Sequence, residues 1–227
     1  MTGIMGALDR EVAALTELLE NKTVADYGRL KVYSGKIFGK NTAVCVCGVG
    51  KVAAAYAATV LITAYGADTV INTGVAGGTV PRGTPVIADK LVQHDVRAYA
   101  DGLPAGQIEG FDSPYLPADV KLCKELCAAA VACGLEPAVG TIASGDQFIC
   151  GKEDVGRIKR TFGALAIDME SASAAQVCAL AGVRFAALRT VTDNADDDAI
   201  EDYYELLNFA AAQSVSILTE YLKGSRE

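Results

Sequence analysis

The sequence predicts an α/β protein with a largely parallel sheet covered by helices on both faces. Three observations lead there. Short apolar runs at 3–6, 69–73, 138–143, 164–167 and 184–191 alternate with stretches of helical periodicity. The apolar fraction is 51%, with 7% aromatic residues and no Trp, so the core is built from Ala, Val, Leu and Ile, as in helix-covered parallel sheets. Two acidic segments, Asp168-Met169-Glu170-Ser171 and Arg189-Thr190-Val191-Thr192-Asp193-Asn194-Ala195-Asp196, each follow a run that reads as a buried strand. Open α/β folds place ligands at such strand ends. A length of 227 residues suits one α/β domain, here taken as 1–227.

Taken in order, the strand at 3–6 leads to a helix from about Asp9, its expected N-cap, with Val12, Leu15, Leu18 and Leu19 on one face. Residues 29–37 and 41–47 read as a strand pair around Gly39-Lys40-Asn41. Gly48-Val49-Gly50 then opens a helix to about Tyr65, apolar almost all round and expected to be buried. The strand at 69–73 ends in Gly74-Val75-Ala76-Gly77-Gly78, small residues that allow close approach to the backbone. A strand at 84–92 precedes a long Gly-, Pro- and Asp-rich loop from His94 to Pro117, and loops of that length in a compact domain are usually functional. A helix over 118–133 turns Val120, Leu122, Cys123, Leu126 and Cys127 inward. The strand at 138–143 runs into Ser144-Gly145-Asp146-Gln147-Phe148-Ile149. The strand at 164–167 meets a small-residue helix near Met169, and that at 184–191 meets Thr192-Asp193. A terminal helix over 203–222 carries Leu206, Leu207, Ala210, Leu218 and Leu222.

A net charge of −8 and a pI near 4.8, with Lys and Arg scattered, disfavour nucleic acid as a partner. The sequence has neither a long uninterrupted apolar span nor the basic lead of a signal peptide, so a cytoplasmic protein without membrane contact is expected. Seven cysteines at irregular positions suit reduced core thiols better than a disulfide framework, and with one histidine no metal site is expected.

Gly48-Val49-Gly50-Lys51-Val52-Ala53 satisfies a relaxed dinucleotide fingerprint. That fingerprint belongs at the first strand, and the ribose-binding acid should end the second, whereas Asp68 precedes its strand. A tight strand-to-helix turn is the better reading. Asp168 and Glu170 alone would suit an acidic first helical turn, and Asp193 a helix cap. Arg189 inside an apolar strand needs a buried partner, for which Glu170, Glu11 and Asp193 are the candidates. His94 reads as structural, because no Ser or Cys lies in a nucleophile motif.

Together, Gly6-Ala7-Leu8-Asp9-Arg10-Glu11, Gly48-Val49-Gly50-Lys51, Asn72-Thr73-Gly74-Val75-Ala76-Gly77-Gly78, Ser144-Gly145-Asp146-Gln147-Phe148-Ile149 and the two acidic segments resemble the 5′-methylthioadenosine/S-adenosylhomocysteine nucleosidases in order and spacing. The resemblance implies the nucleoside phosphorylase-like fold, a mixed central sheet flanked by helices, in a homodimer, with a small nucleoside as substrate and no cofactor. It makes Glu11 the activator of the attacking water, with Arg189 in the water and carboxylate network. Glu170 holds the ribose hydroxyls, Met169 lies against the sugar, and Asp193, supported by Thr192, is the acid at adenine N7. Phe148 stacks on the base, the backbone of Ile149 reads its edge, and Val75, Ala76 and Gly77 complete the substrate site. Val75 stands where many members have Ser, while Asp168 and Thr192 replace the commoner Glu and Ser. The loop 96–113 is the weakest match: Tyr99 is a candidate there for the family's aromatic that covers the 5′ pocket from the neighbouring subunit. The 5′ substituent stays open among methylthio, homocysteinyl, deoxy and futalosine types.

The chemistry fits these roles. Breaking an N-ribosidic bond builds positive charge on the sugar, which an adjacent anion stabilises. Adenine leaves poorly unless a ring nitrogen is protonated, yet an ordinary Asp is only about 0.1% protonated at pH 7, a deficit of about 4 kcal/mol. Asp193 therefore needs a raised pKa or must deliver its proton only as the bond breaks.

Overall fold

The computed structural model describes residues 1–97, 102–193 and 199–224; the side chains of 193 and 199–206 lie outside that description, as do Tyr99 and residues 194–198. In chain order the elements are β1 (Thr2–Gly6), α1 (Asp9–Glu17), β2 (Glu20–Tyr27), β3 (Leu30–Ile37), β4 (Lys40–Val46), α2 (Lys51–Tyr65), β5 (Thr69–Gly78), β6 (Pro85–Gln93), β7 (Leu116–Pro117), α3 (Val120–Ala132), β8 (Ala138–Ser144), α4 (Lys152–Phe162), β9 (Ala164–Asp168), α5 (Ser171–Ala181), β10 (Arg184–Asp193) and α6 (Ala199–Gly224).

One mixed sheet runs β10-β6-β8-β9-β5-β1-β4-β3-β2, with the short β7 beside β6. Because β5 also pairs with β10, the first five strands close on themselves and β1, β4, β3 and β2 extend from the ring. The hinge of this arrangement is β5. Its first half lies between β1 and β10, in parallel with both; past the end of β1, Gly77 and Gly78 pair antiparallel with Ile167 and Ala166 of β9. The change of neighbour is possible because small residues let side chains from the next strand come close. A Cβ on Gly78 would lie 2.6 Å from Val191 Cγ2.

Helices cover both faces. On one, α2 and α5 pack together through Ala54, Ala57, Ala58, Leu61, Ala172, Ala175 and Cys178 against Met5, Val70 and Ala187. On the other, α1, α3 and α6 bury Val12, Leu15, Leu122, Leu126, Leu218 and Leu222 over Ile4, Ile71 and Leu188. The alanine-rich α2–α5 contact brings the amino ends of both helices close to the strand ends that carry the acids. Among the described residues no helix is long and apolar enough to cross a membrane.

Several local expectations are corrected. The N-cap of α1 is Leu8, not Asp9, because the Glu11 carboxylate reaches back to take the Leu8 N–H at 2.9 Å. Leu18 is exposed, whereas Leu19 is buried as expected; Val120 faces out, since α3 begins there behind its Asp119 cap. Helix α2 is buried on one side only: Val52 is 81% and Tyr56 49% exposed. All seven cysteines are free, but only Cys45, Cys123 and Cys178 are buried, so a core role holds for three. The small residues 74–78 continue β5 rather than ending it, and β2 and α4 add elements that periodicity did not signal.

Candidate active site

A cavity of about 360 Å³ opens where the carboxyl ends of β1, β8 and β9 meet the second half of β5. Its wall includes Leu8 from the β1–α1 turn, Glu11 from the first turn of α1, Val49 before α2, and Val75, Ala76 and Gly77 of β5. Phe148 and Ile149 follow β8; Met169 and Glu170 join β9 to α5. The volume suits a small organic ligand. The lining is mostly apolar, with a half-exposed Phe148 and three buried carboxylates, Glu11, Asp168 and Glu170.

Beneath the cavity lies Arg189, 1% exposed in the middle of β10. Its Nε donates to Asp168 Oδ2 at 2.7 Å, one Nη2 hydrogen reaches Asn72 Oδ1, and Glu170 Oε2 lies 3.5 Å from Nη2. The expected partner Glu170 is thus present, but the closest ion pair is with Asp168, which the sequence reading had not put forward as a partner. Asp168 can serve because it ends β9 facing β10's guanidinium and is saturated by donors: the hydroxyls of Ser144 and Ser171 and the Ser171 N–H. Such full pairing is what allows ions to persist in a dry interior.

Glu170 occupies the N-cap position of α5, yet its carboxylate does not cap that helix. It turns to the start of α2, where Oε1 accepts the Gly50 N–H at 2.9 Å. Burial pushes its pKa up to about 7, helped by the negative charges of Asp168 and Glu11 and opposed by Arg189 and the Gly50 hydrogen bond. Glu11 is held by the N–H groups of Leu8 (2.9 Å) and Val75 (3.0 Å). Burial raises its pKa as well, against the pull of Arg189. Gly74 makes this approach possible: a Cβ there would collide with the Glu11 carboxylate and lie 2.7 Å from Arg189 Nη1.

Of the residues singled out from sequence, Glu11, Glu170, Met169, Phe148, Ile149, Val75, Ala76 and Gly77 line the one cavity. Arg189 lies behind it. Thr192 is fully buried, with Oγ1 3.5 Å from the Ala76 carbonyl. Asp193 is placed by its backbone at the end of β10, in register with Gly77, while its carboxylate falls outside the described side chains. Leu8, Val49 and Gln147 in the wall, and Asn72 beneath it, were not anticipated. Asn72 had a usable signal, a lone amide in an otherwise apolar strand. Among the described residues no group of three or more His, Cys, Asp or Glu is arranged to hold a metal ion.

The raised carboxyls have a consequence for stability. Between the ordinary value of 4.5 and about 7, native Glu170 retains a proton that the unfolded chain has released. The native state then binds more protons, so its stability is full at low pH and is lost as pH rises through this window. Urea unfolding at intervals from pH 5 to pH 8 is expected to show that decline, and Glu170→Gln to reduce it, leaving the part due to Glu11. An identical slope in the variant would contradict the assignment.

With this geometry in view, comparison with known proteins is specific. Residues 2–223 match the family model described as the phosphorylase superfamily. The 5′-methylthioadenosine/S-adenosylhomocysteine nucleosidase of Neisseria meningitidis, solved with methylthio-immucillin-A, is 34% identical with a TM-score of 0.94, covering 98% of each chain. The S-adenosylhomocysteine nucleosidase of Streptococcus pyogenes, solved with 5-methylthiotubericidin, is 30% identical with a TM-score of 0.95, over 100% of this chain and 97% of that one. A futalosine hydrolase mutant of Helicobacter pylori is 31% identical with a TM-score of 0.93, over 97% of both. The chain belongs to the phosphorylase superfamily and, within it, to the family of 5′-methylthioadenosine/S-adenosylhomocysteine nucleosidases.

Proposed function

We propose that this protein hydrolyses the N-ribosidic bond of 5′-methylthioadenosine and S-adenosylhomocysteine, releasing adenine and the corresponding 5-thioribose. The observation that carries this reading is the convergence of Glu11 and Glu170 on one cavity that also presents Phe148, Ile149 and Met169. Water attacks C1′ as the bond to adenine N9 breaks. Glu11 takes the water's proton; burial raises its pKa, which makes it a stronger base than an exposed carboxylate. Glu170 binds the ribose hydroxyls and faces the cationic sugar, whose positive charge favours the ionised carboxylate during the reaction. Asp193, supported by Thr192, donates a proton to N7, so that adenine departs neutral. Phe148 stacks on the base, Ile149 reads its edge, Met169 contacts the sugar, and Val75, Ala76 and Gly77 form the floor beneath the nucleoside.

Water rather than phosphate is the nucleophile in this reading. The Val75 N–H, a potential anion donor, is occupied by Glu11, and the buried Arg189 is engaged by Asp168 and Glu170. The 5′ substituent can be methylthio or homocysteinyl; the H. pylori futalosine hydrolase at similar identity makes a futalosine-type nucleoside a further substrate to assay.

We also infer a homodimer, supported by the apolar face of α2 that exposes Val52 beside Val49. Light scattering is expected to give twice the chain mass, and a monomer at micromolar concentration would contradict it. Seven free thiols suit a reducing compartment, and we place the protein in the cytoplasm, where cell fractionation should find it.

Incubation with 5′-methylthioadenosine in phosphate-free buffer should release adenine, at a rate unchanged by added phosphate. Strict dependence on phosphate would make the protein a phosphorylase, and intact substrate would make it a binder. Glu11→Gln and Asp193→Asn should each lower kcat by roughly 10²- to 10⁴-fold, the usual worth of a general base or acid, with the native circular dichroism spectrum retained. Wild-type turnover in either variant would remove that residue from the mechanism.

A further inference from the structure

Helix α2 begins at Gly50, which has no side chain to cap it and a φ of +98°. Its first amides are instead taken by two carboxylates from distant parts of the chain. Gly50 N–H goes to Glu170, and Lys51 N–H donates to Asp146 Oδ1 at 2.7 Å. Two anions at the positive end of one helix suit its dipole. They differ in use: Glu170 lines the cavity, whereas Asp146 does not and is exposed.

Asp146 belongs to the segment between β8 and α4 that carries Gln147, Phe148 and Ile149 into the cavity wall. Its own N–H donates to Asp95 Oδ2 at 3.0 Å, and Asp95 Oδ1 in turn pairs with Lys51 Nζ at 2.8 Å. Lys51 Nζ also reaches Gln93, which is bonded to Gln176 of α5. The residue before it is fixed as well: Gly145 N–H donates to the Asp168 carbonyl, and the absence of a Cβ lets the buried His94 ring pack directly against it. A closed circuit therefore joins the start of α2, the end of β6 and the segment after β8.

We propose that Asp146 is a positioning residue which, by holding the Lys51 amide, keeps the adjacent Gly50 N–H on Glu170 and so couples the base-binding segment to the ribose-binding carboxylate. This rests on the proposed nucleosidase reading for what the two ends bind, but the coupling itself is a property of the free protein. The groups facing Glu170 are Arg189 from β10, Asp168 from β9, Glu11 from α1, the Cys47 thiol after β4 and the Gly50 amide. Of these, the Gly50 amide is the one Asp146 controls, and it favours the ionised carboxylate. Weakening it must raise the Glu170 pKa.

The test compares Asp146→Ala with Asp146→Asn. Both remove the charge, but Asn keeps an oxygen able to accept the Lys51 N–H. In Asp146→Ala, kcat/KM for 5′-methylthioadenosine should fall about fivefold, the change expected from one lost cap bond. Its pH profile should move its Glu170 limb upward by about half a unit. Asp146→Asn should restore both. Carbon-13 NMR titration of the Glu170 carboxyl in each substrate-free protein reads the same shift without turnover. An unmoved Glu170 titration in Asp146→Ala, or equal shifts in both variants, overturns the inference. Absence of adenine release by the parent protein would instead overturn the proposed function, while the NMR titration still decides the coupling.

Discussion

The constraint on which the rest of the site depends is the burial of one guanidinium among more acid than it can neutralise. Arg189 faces Asp168, Glu170 and Glu11 in a region almost closed to water. A buried ion group costs desolvation and is tolerated only when nearly every donor and acceptor is matched. That requirement ties β10 to β9 through Asp168, to β5 through Asn72 and to the start of α5 through Ser171. Removing a single partner from such a cluster typically costs about 3–5 kcal/mol, because a charge is left behind. The strand ends are therefore held in one arrangement by the chemistry of the site itself.

The charge count also bears on the proposed reaction. Three carboxylates against one guanidinium leave an excess of negative charge if all are ionised; burial raises the pKa of both Glu11 and Glu170, and for Glu170 the neighbouring acids add to the rise. In the proposed mechanism a sugar that becomes cationic supplies the missing positive charge at the moment it is needed. The interaction is consequently stronger in the transition state than in the ground state, which is the condition for accelerating a reaction rather than merely binding its substrate.

Much of this was legible from residue order because acids after apolar strands are a strong signal: Glu170 and the backbone of Asp193 fall at strand ends, and Glu11 in the first turn of the helix that follows β1. The alternation of strands and helices was equally readable wherever an element has a buried face. Strand β2 escaped because nearly every residue in it is exposed, so no apolar alternation marks it. Helix α4 escaped because only Val155, Ile158 and Phe162 are buried among many charges. The Gly74–Gly78 run was read for its ability to admit a close neighbour, correctly, but not as continuing strand. What keeps it in the sheet is pairing with β9 and β10, a long-range interaction with no local trace. The same holds for Asp168: a carboxylate before a helix has an adequate local explanation, and only the folded sheet brings it to Arg189.

The excess of carboxylate also bears on the choice of nucleophile in a superfamily whose description includes phosphorylases. At an effective dielectric of about 20, two like charges some 4 Å apart repel by roughly 4 kcal/mol. A phosphate dianion entering beside Glu11 and Glu170 would meet that repulsion unless free cationic groups offset it, and the nearby guanidinium is already committed to Asp168 and Glu170. Water is neutral, so it enters without this opposition and, in the proposed mechanism, acquires charge only as Glu11 removes its proton. The arrangement that stabilises a cationic sugar thus discriminates against an anionic attacking group, and hydrolysis follows from the same electrostatics that make the bond cleavable.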